Sequence, residues 1–443
     1  MPPRVALVSI GTRGDVEPLA HIAAALQGAG ATVVLVTHAS YRGLVESRGV
    51  PFASLGQGLL EARASRPEGQ ALRKATGTAL LKASKDFMRA VGDDYFAACR
   101  QAFEAFKPEV AVLSTLSAYY HSSLCEALQI RTCVTHMCPL VPTGWISPPV
   151  GGIGTAPFAF INRWVWRFTT KLGWSLIYRD HVNELRASVG LAPMADPSGP
   201  FASLLRDVPT LLLHSPQLCP RFPDYPPSVH VVGAAAASDA SDGSFEPPPT
   251  LSTFLADAGA PPVVAVTLGS MAEVQDDGSA PRAGRSAAAV LRLAADAALA
   301  AGARALVLTA GAAGAEAALA GCGGGVLAVP GAVPHAWLLP KCAALVCHGG
   351  AGTVHAALRA GVPTVVLAVD EGASDQPFWG ARLVASKLAP AAFTAAKVTL
   401  PKLAAALRSC VGDAALRARV QAAAREVANE NAVVDATRII LAA

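Results

Sequence analysis

No stretch of this chain stays apolar for the length of a bilayer without meeting a charge or a proline, which argues against a transmembrane helix. Charge of one sign is also scarce. The 36 basic and 32 acidic residues leave a net +4, too little for the broad basic face that nucleic acid requires. Carboxylates nowhere cluster as a cage for a divalent cation. The nine cysteines are scattered and odd in number. Cys133/Cys138 and Cys342/Cys347 have no second pair at zinc spacing, so buried thiols in a reducing, cytosolic setting are expected. The opening Met1-Pro2-Pro3-Arg4 leads straight into a strand, so no secretory leader is expected.

Short apolar runs separated by glycine turns and helical spacing are abundant. Val5 to Ile10 is nearly continuous and reads as a strand covered on both faces. Gly11 to Gly14 turns the chain, Pro18 suits a first helical turn, and Leu19 to Leu26 has helical spacing. Thr32 to Thr37 is the next strand, and Val110–Leu113, a helix near 118–128, and Thr132–Thr135 repeat the unit. The pattern restarts at Val263–Leu268 and continues with a helix over about 285–300. Strands at 305–309, 326–329, 344–347 and 364–367 follow. Such alternation implies parallel sheets with helices on both faces.

The two runs divide the chain into residues 1–234 and 251–443, joined by a linker at 235–250 that ends in Pro247-Pro248-Pro249. A last helix, about 414–442, could pack on either half. Ligands of open α/β sheets sit at the carboxyl ends of the strands. Two sheets facing each other would therefore bring both sets of loops into one cleft.

The most informative stretch is His348-Gly349-Gly350-Ala351-Gly352-Thr353, which follows the strand Ala344–Cys347 and opens a helix. Unpaired N–H groups of a first helical turn, with the positive end of the dipole behind them, suit a diphosphate. Asp375-Gln376 downstream could take the hydroxyls of what the diphosphate carries. A dinucleotide enzyme would instead show Gly-x-Gly-x-x-Gly after the first strand and an acid at the end of the second. Here the first turn is Gly11-Thr12-Arg13-Gly14 and the second strand ends in Thr37-His38. That reading is set aside.

In order and spacing the chain resembles the GT-B glycosyltransferases, in the branch of sterol glucosyltransferases and antibiotic-aglycone glycosyltransferases. The likeness runs from Gly11-Thr12-Arg13-Gly14-Asp15-Val16-Glu17-Pro18 through Thr37-His38-Ala39, Phe52 and Pro139–Thr143. It continues with Leu251–Phe254, Pro261-Pro262, Thr267–Met271, Val333-Pro334-His335, Trp337-Leu338 and the His348–Thr353 turn. Gly361–Thr364 and Asp375–Gly380 complete it. It implies two Rossmann-like doubly wound domains facing across a cleft, and inverting transfer of a sugar to a hydroxyl of a lipophilic acceptor. By that resemblance the donor is UDP-glucose and the acceptor a sterol, with a polyketide, peptide or other secondary-metabolite aglycone as alternative. No metal or further cofactor is implied.

The resemblance assigns Asp15 as general base. The base is an aspartate where related plant enzymes carry histidine, and an ordinary aspartate near pKa 3.9 is a weak one. The bland alternatives are a helix cap or a pair with Arg13; His21, further along the helix, is a rival base. On the donor side stand Gly14, Ser270, Val333, His335, His348, Gly350, Gly352, Thr353, Asp375 and Gln376. Against them stand a plain tight turn at His348, an ordinary turn serine at Ser270, and an N-cap at Asp375. Trp337 is either near the base of the nucleotide or buried beneath its loop. His136, Pro142 and Thr143 fall on the acceptor side. The chain departs from the family at Ala368–Ser374, a longer and more acidic approach to Asp375 beside the expected sugar position.

The stretch Phe158–Tyr178, with Trp164, Trp166, Phe168 and Trp174 beside Arg163, Arg167, Lys171 and Arg179, reads as a core helix with basic edges. An acceptor wall or a helix lying peripherally on a membrane is the alternative. A catalytically silent nucleotide-sugar binder would keep the His348 turn and dispense with the base. A non-hydrolysing sugar-nucleotide epimerase shares the architecture but leaves Pro139–Thr143 without a purpose.

Overall fold

A computed structural model describes the chain except for residues 1, 76, 152, 197–198, 200–206, 236–244, 258, 273–283, 371 and 373. Most of the expected linker, and Glu371 and Ala373 of the loop before Asp375, therefore lie outside the described residues.

Two all-parallel sheets organise the rest. The first has seven strands in the order β3-β2-β1-β4-β5-β6-β7, and the second six, β10-β9-β8-β11-β12-β13. In the first, β1 is Arg4–Val8, β2 Thr32–Thr37, β3 Phe52–Ser54, β4 Val110–Ser114, β5 Arg131–His136, β6 Thr210–Leu212 and β7 Val229–Val231. In the second, β8 is Val263–Thr267, β9 Arg304–Leu308, β10 Val326–Val329, β11 Ala344–Cys347, β12 Thr364–Ala368 and β13 Ala392–Thr394. The central strands are those whose apolar runs are unbroken. Short β3, β6, β7 and β13 lie towards the edges, where three residues suffice and leave little pattern to read.

Alternation along β1 shows why the run must be continuous. Val5 and Leu7 enter one apolar cluster with Leu19, Ile22 and Leu26 of helix α1 (Arg13–Gly28). Ala6 and Val8 enter the other, with Phe87, Phe96 and Phe103 of helix α2 (Gly77–Phe106). Both faces are covered, so neither parity tolerates a polar residue. Helix α3 (Thr115–Ala127) follows β4, and α5 (Ala287–Ala300) precedes β9 in the second sheet. The second half has one large cluster. Cys138 and Leu218 of the first half also belong to it, so the two halves pack directly.

Three expectations are corrected. First, α1 begins at Arg13, so Asp15 sits inside its first turn and Pro18 in its second. Second, the expected C-terminal helix is broken at 429–431 into α8 (Ala414–Ala428) and α9 (Ala432–Ala442). Helix α8 packs on α6 (Ala351–Arg359), whereas α9 crosses to α1 of the first half. Ala432, Ala436 and Ile440 join the cluster of Val5 and Leu7. Third, α4 (Ala159–Gly173) is not a core helix. Only Asn162 and Trp166 along it are buried.

Ile440 is fully buried in that cluster. Ile440→Ala should cost about 2–5 kcal/mol, lowering the thermal midpoint. An unchanged unfolding transition would show that α9 does not contribute to the first half's core.

Candidate functional site

Helix α1 starts at the carboxyl end of β1, and its first turn is closed by a reciprocal cap. Thr12 donates from its backbone N–H to Asp15 Oδ2 at 2.8 Å and from its hydroxyl to the same oxygen at 3.2 Å. Asp15 Oδ1 takes no hydrogen bond among the described residues. One carboxylate oxygen is thus fixed by the cap and the other is left available. Gly11, at φ +151°, makes the room: a Cβ there would overlap the Asp15 carboxylate. Burial raises Asp15 to about 6, Thr12 opposes the shift, and the charge of Asp375 adds to it. Gly14 is exposed beside it in the same turn. Arg13 pairs with Glu17, not with Asp15. His21 lies two turns on, beside Arg48.

The second half brings two turns to the same place. His348, at the end of β11, has its ring pinned between glycines. A Cβ on Gly350 would overlap its Nε2, and one on Gly269 would come 2.9 Å from its Cε1. His348 is buried, which pushes its pKa down to about 4 and keeps it neutral; His335 adds to the shift. Its Nδ1 has no hydrogen-bond partner among the described residues. Gly350 caps α6, with Ala351, Gly352 and Thr353 forming its first turn. Ser270 is exposed in the turn next to Gly269. Val333 is buried, and His335 opens a short helix, with its pKa lowered by burial and by Arg13 of the first half. Trp337 packs edge-on against Phe245 at 5.1 Å, below Lys341.

Asp375 and Gln376 stand at the start of α7 (Gln376–Ala385). Asp375 occupies the N-cap position but makes no side-chain cap; its Oδ2 accepts from Trp379 Nε1 at 2.7 Å. Burial raises its pKa. Gln376 is buried, and its Oε1 accepts from the N–H groups of Val369 and Asp370 at 2.9 and 3.2 Å. It therefore holds the start of the long approach, at Val369 and Asp370. The Gln376 oxygen is committed to backbone, leaving its amide N–H groups as the donors.

On the acceptor side, His136 is fully buried with Nδ1 at 2.9 Å from Thr115 Oγ1. It lies within the packing at the end of β5 and not on an open surface. Pro142 is exposed. Thr143 donates to Asp224 Oδ1 at 2.6 Å, and Gly144 N–H to Asp224 Oδ2 at 2.8 Å. Asp224 had no signal in the sequence, since its partners are some 80 residues away. Cys138 is the buried thiol expected from the sequence, pushed well above its ordinary range by burial and by the charges of Asp375 and Asp15.

Beneath these loops the halves are fastened together. The Ser215 N–H donates to His355 Nε2 at 3.1 Å, its hydroxyl to Glu430 at 2.5 Å, and Arg382 Nε donates to the Leu218 carbonyl at 2.7 Å. Among the described residues no group of three His, Cys, Asp or Glu could hold a metal ion.

Asp15 ionises near pH 6 in the folded chain but near the ordinary value, about 3.9, when unfolded. The folded state holds the proton more tightly. That stabilisation is full below about pH 4 and is lost as pH rises through about 6. Asp15→Asn cannot ionise, so it should gain stability relative to the parent chain between those limits in urea titrations. Parallel pH dependences of the two chains would reject the raised pKa.

Residues 5–144 match the glycosyltransferase family 28 N-terminal domain. Residues 289–440 match the erythromycin biosynthesis protein CIII-like C-terminal domain. The chain is 32% identical to the O-mycaminosyltylonolide 6-deoxyallosyltransferase of Streptomyces fradiae, over 99% of this chain and 96% of that protein. It is 28% identical to a sterol 3-beta-glucosyltransferase of Arabidopsis thaliana over 97% of this chain, and spans 66% of that protein's length. Among solved structures, the glycosyltransferase of kitacinnamycin superposes with a TM-score of 0.70 at 19% identity, covering 100% of this chain and 99% of the other. The calicheamicin glycosyltransferase CalG4 gives 0.67 at 14%, covering 100% and 98%. With both halves, the fold and a near-full-length relative in agreement, the chain belongs to the GT-B glycosyltransferases.

Proposed function

We propose that the cleft transfers a hexose from a nucleoside-diphosphate sugar, UDP-glucose first, to a hydroxyl of a lipophilic acceptor, a sterol first. The observation that carries the reading is the pairing across the halves. Asp15 at the end of β1 and Asp375 at the start of α7 are close enough for the charge of one to raise the pKa of the other. A base on one half therefore stands opposite a sugar-hydroxyl acceptor on the other.

In this reading Asp15 Oδ1 removes the acceptor proton as the acceptor oxygen attacks the anomeric carbon from the face opposite the diphosphate. A carboxylate at about 6 is a far better base than an ordinary aspartate, yet remains ionised at neutral pH. The leaving diphosphate gathers negative charge at the first turn of α6. There the N–H groups of Ala351, Gly352 and Thr353 and a neutral His348 act as fixed donors. Their effect grows as the bond breaks, so they assist the step as well as binding. Ser270 lies next to that point. Asp375 and the Gln376 amide hold the sugar, and Val333 and His335 present backbone to the nucleotide base.

The sterol reading is supported by the likeness to plant sterol 3-beta-glucosyltransferases across almost the whole of this chain, which spans 66% and 65% of their lengths. A second reading, a macrolide or other secondary-metabolite aglycone with a deoxysugar donor, is favoured by the likeness to the S. fradiae deoxyallosyltransferase over its near-full length. Crossing UDP-glucose, UDP-galactose, UDP-glucuronate and dTDP-sugars with sterols, macrolides and phenolic aglycones, followed by mass spectrometry, separates the two. Tight UDP binding with no glycoside from any pair would point to a silent binder.

Asp15→Asn should lower kcat by about 10²–10⁴-fold while the Kd for UDP stays nearly unchanged. Parent kcat/KM should fall as pH drops through about 6, because the base is lost by protonation. Full activity of Asp15→Asn would remove Asp15 from the role, and an acid limb near pH 4 would reject its raised pKa.

A further inference from the structure

Helix α4 and the π-helical turn that follows it, Trp174–Tyr178, carry the largest unexplained feature of the surface. Phe160, Trp164, Phe168, Leu172 and Leu176 recur at every fourth position, and all five are exposed, from 69% at Phe160 to 38% at Leu176. Trp164 and Phe168 stack on each other at 5.3 Å. The opposite side is fixed. Asn162 bonds to Ser147, Gly144 and Ala156, and the Trp166 indole donates to the Ile146 carbonyl at 2.8 Å. The exposed aromatics are therefore held outward by a well-anchored helix and do not belong to a loosely packed one.

Three cations run beside this stripe, each one residue from an exposed apolar side chain: Arg163, Arg167 and Lys171. Arg163 is paired with Asp224. Arg167 and Lys171 have no ion pair among the described residues and are exposed. Helix α4 itself carries no acidic residue. An apolar stripe with an adjoining row of cations matches a surface of apolar chains under anionic headgroups. The cations, which no acidic side chain of α4 neutralises, favour an anionic bilayer over an uncharged apolar partner.

We propose that α4 is a membrane-docking helix. It lies in the interfacial plane of an anionic bilayer, with Phe160, Trp164, Phe168 and Leu172 among the acyl chains and Arg167 and Lys171 at the phosphates. No described helix is long and apolar enough to cross a membrane, so the contact is peripheral. The geometry also ties this surface to the acceptor side. Asp224 bonds Thr143, Gly144 and Arg163 together, and Asn162 bonds Gly144. In purpose the inference rests on the lipophilic-acceptor reading, since docking there would bring a membrane-borne hydroxyl to the mouth of the cleft.

The test uses the full chain and vesicles of phosphatidylcholine, alone or with phosphatidylglycerol, in a flotation assay. Binding should be strong only with the anionic lipid and should fall with added salt. Phe160→Ser/Trp164→Ser should lower the partition coefficient by about tenfold or more, and Arg167→Gln/Lys171→Gln should abolish the preference for the anionic lipid. These side chains are exposed, and thermal unfolding checks that both variants remain folded. Brominated acyl chains should quench fluorescence in the parent chain more than in Trp164→Phe.

Absence of binding to either vesicle, or binding unaffected by Phe160→Ser/Trp164→Ser, would overturn the proposal. So would a dimer in sedimentation velocity that this variant dissociates. Transfer to a water-soluble acceptor should be unchanged in the variant, while transfer to vesicle-borne sterol should drop. Vesicle binding by a chain that glycosylates no lipophilic acceptor would uphold the docking surface and reject the acceptor reading.

Discussion

Ser215 makes one hydrogen bond to His355 and another to Glu430, and through them the loops of two separate sheets share one cleft. The apolar packing that joins the halves, Cys138 and Leu218 on one side and α9 on the other, is not directional. The buried polar contacts at Ser215, with Arg382 on the Leu218 carbonyl, add direction where the two halves meet. Such bonds cost a great deal to leave unmade in a dry interface, so they act more as a register than as glue. With them in place, Asp15 and Asp375 come within electrostatic reach of each other.

Burial makes the floor of this cleft electrically quiet. His38, His136, His214, His348 and His355 all have lowered pKa values, each chiefly through desolvation. All five are neutral at physiological pH. Asp15 and Asp375, by contrast, are carboxylates that burial pushes upward. A polyhydroxylated group between them would find acceptors, and a departing diphosphate would find neutral donors, so the two ends of a donor substrate meet opposite conditions.

How much of this was legible depended on whether the information was local. The central strands could be read because burial on both faces leaves unbroken apolar runs, as at Val5–Val8 and Thr364–Ala368. The His348 turn could be read because glycine spacing and a helix start occupy six adjacent residues. The start of α1 was displaced because Pro18 suggests a first turn, whereas the Thr12–Asp15 cap already starts the helix at Arg13. Aromatic residues at helical spacing fit a core and an exposed face equally well, so the sequence does not mark the outward face of α4. Asp224 and Ser215 were invisible. Each acts on partners far away in sequence, and nothing beside them in the chain marks it.

The break at 429–431 has a practical consequence for recombining such proteins. Helix α8 belongs to the second half by its packing on α6, but α9 lies on α1 and fills the core beneath β1. A chimera that replaces everything after the linker would give the first half a foreign eleven-residue patch. The better junctions are two: one in the linker, and another near Asn431, so that the native tail returns to its own sheet.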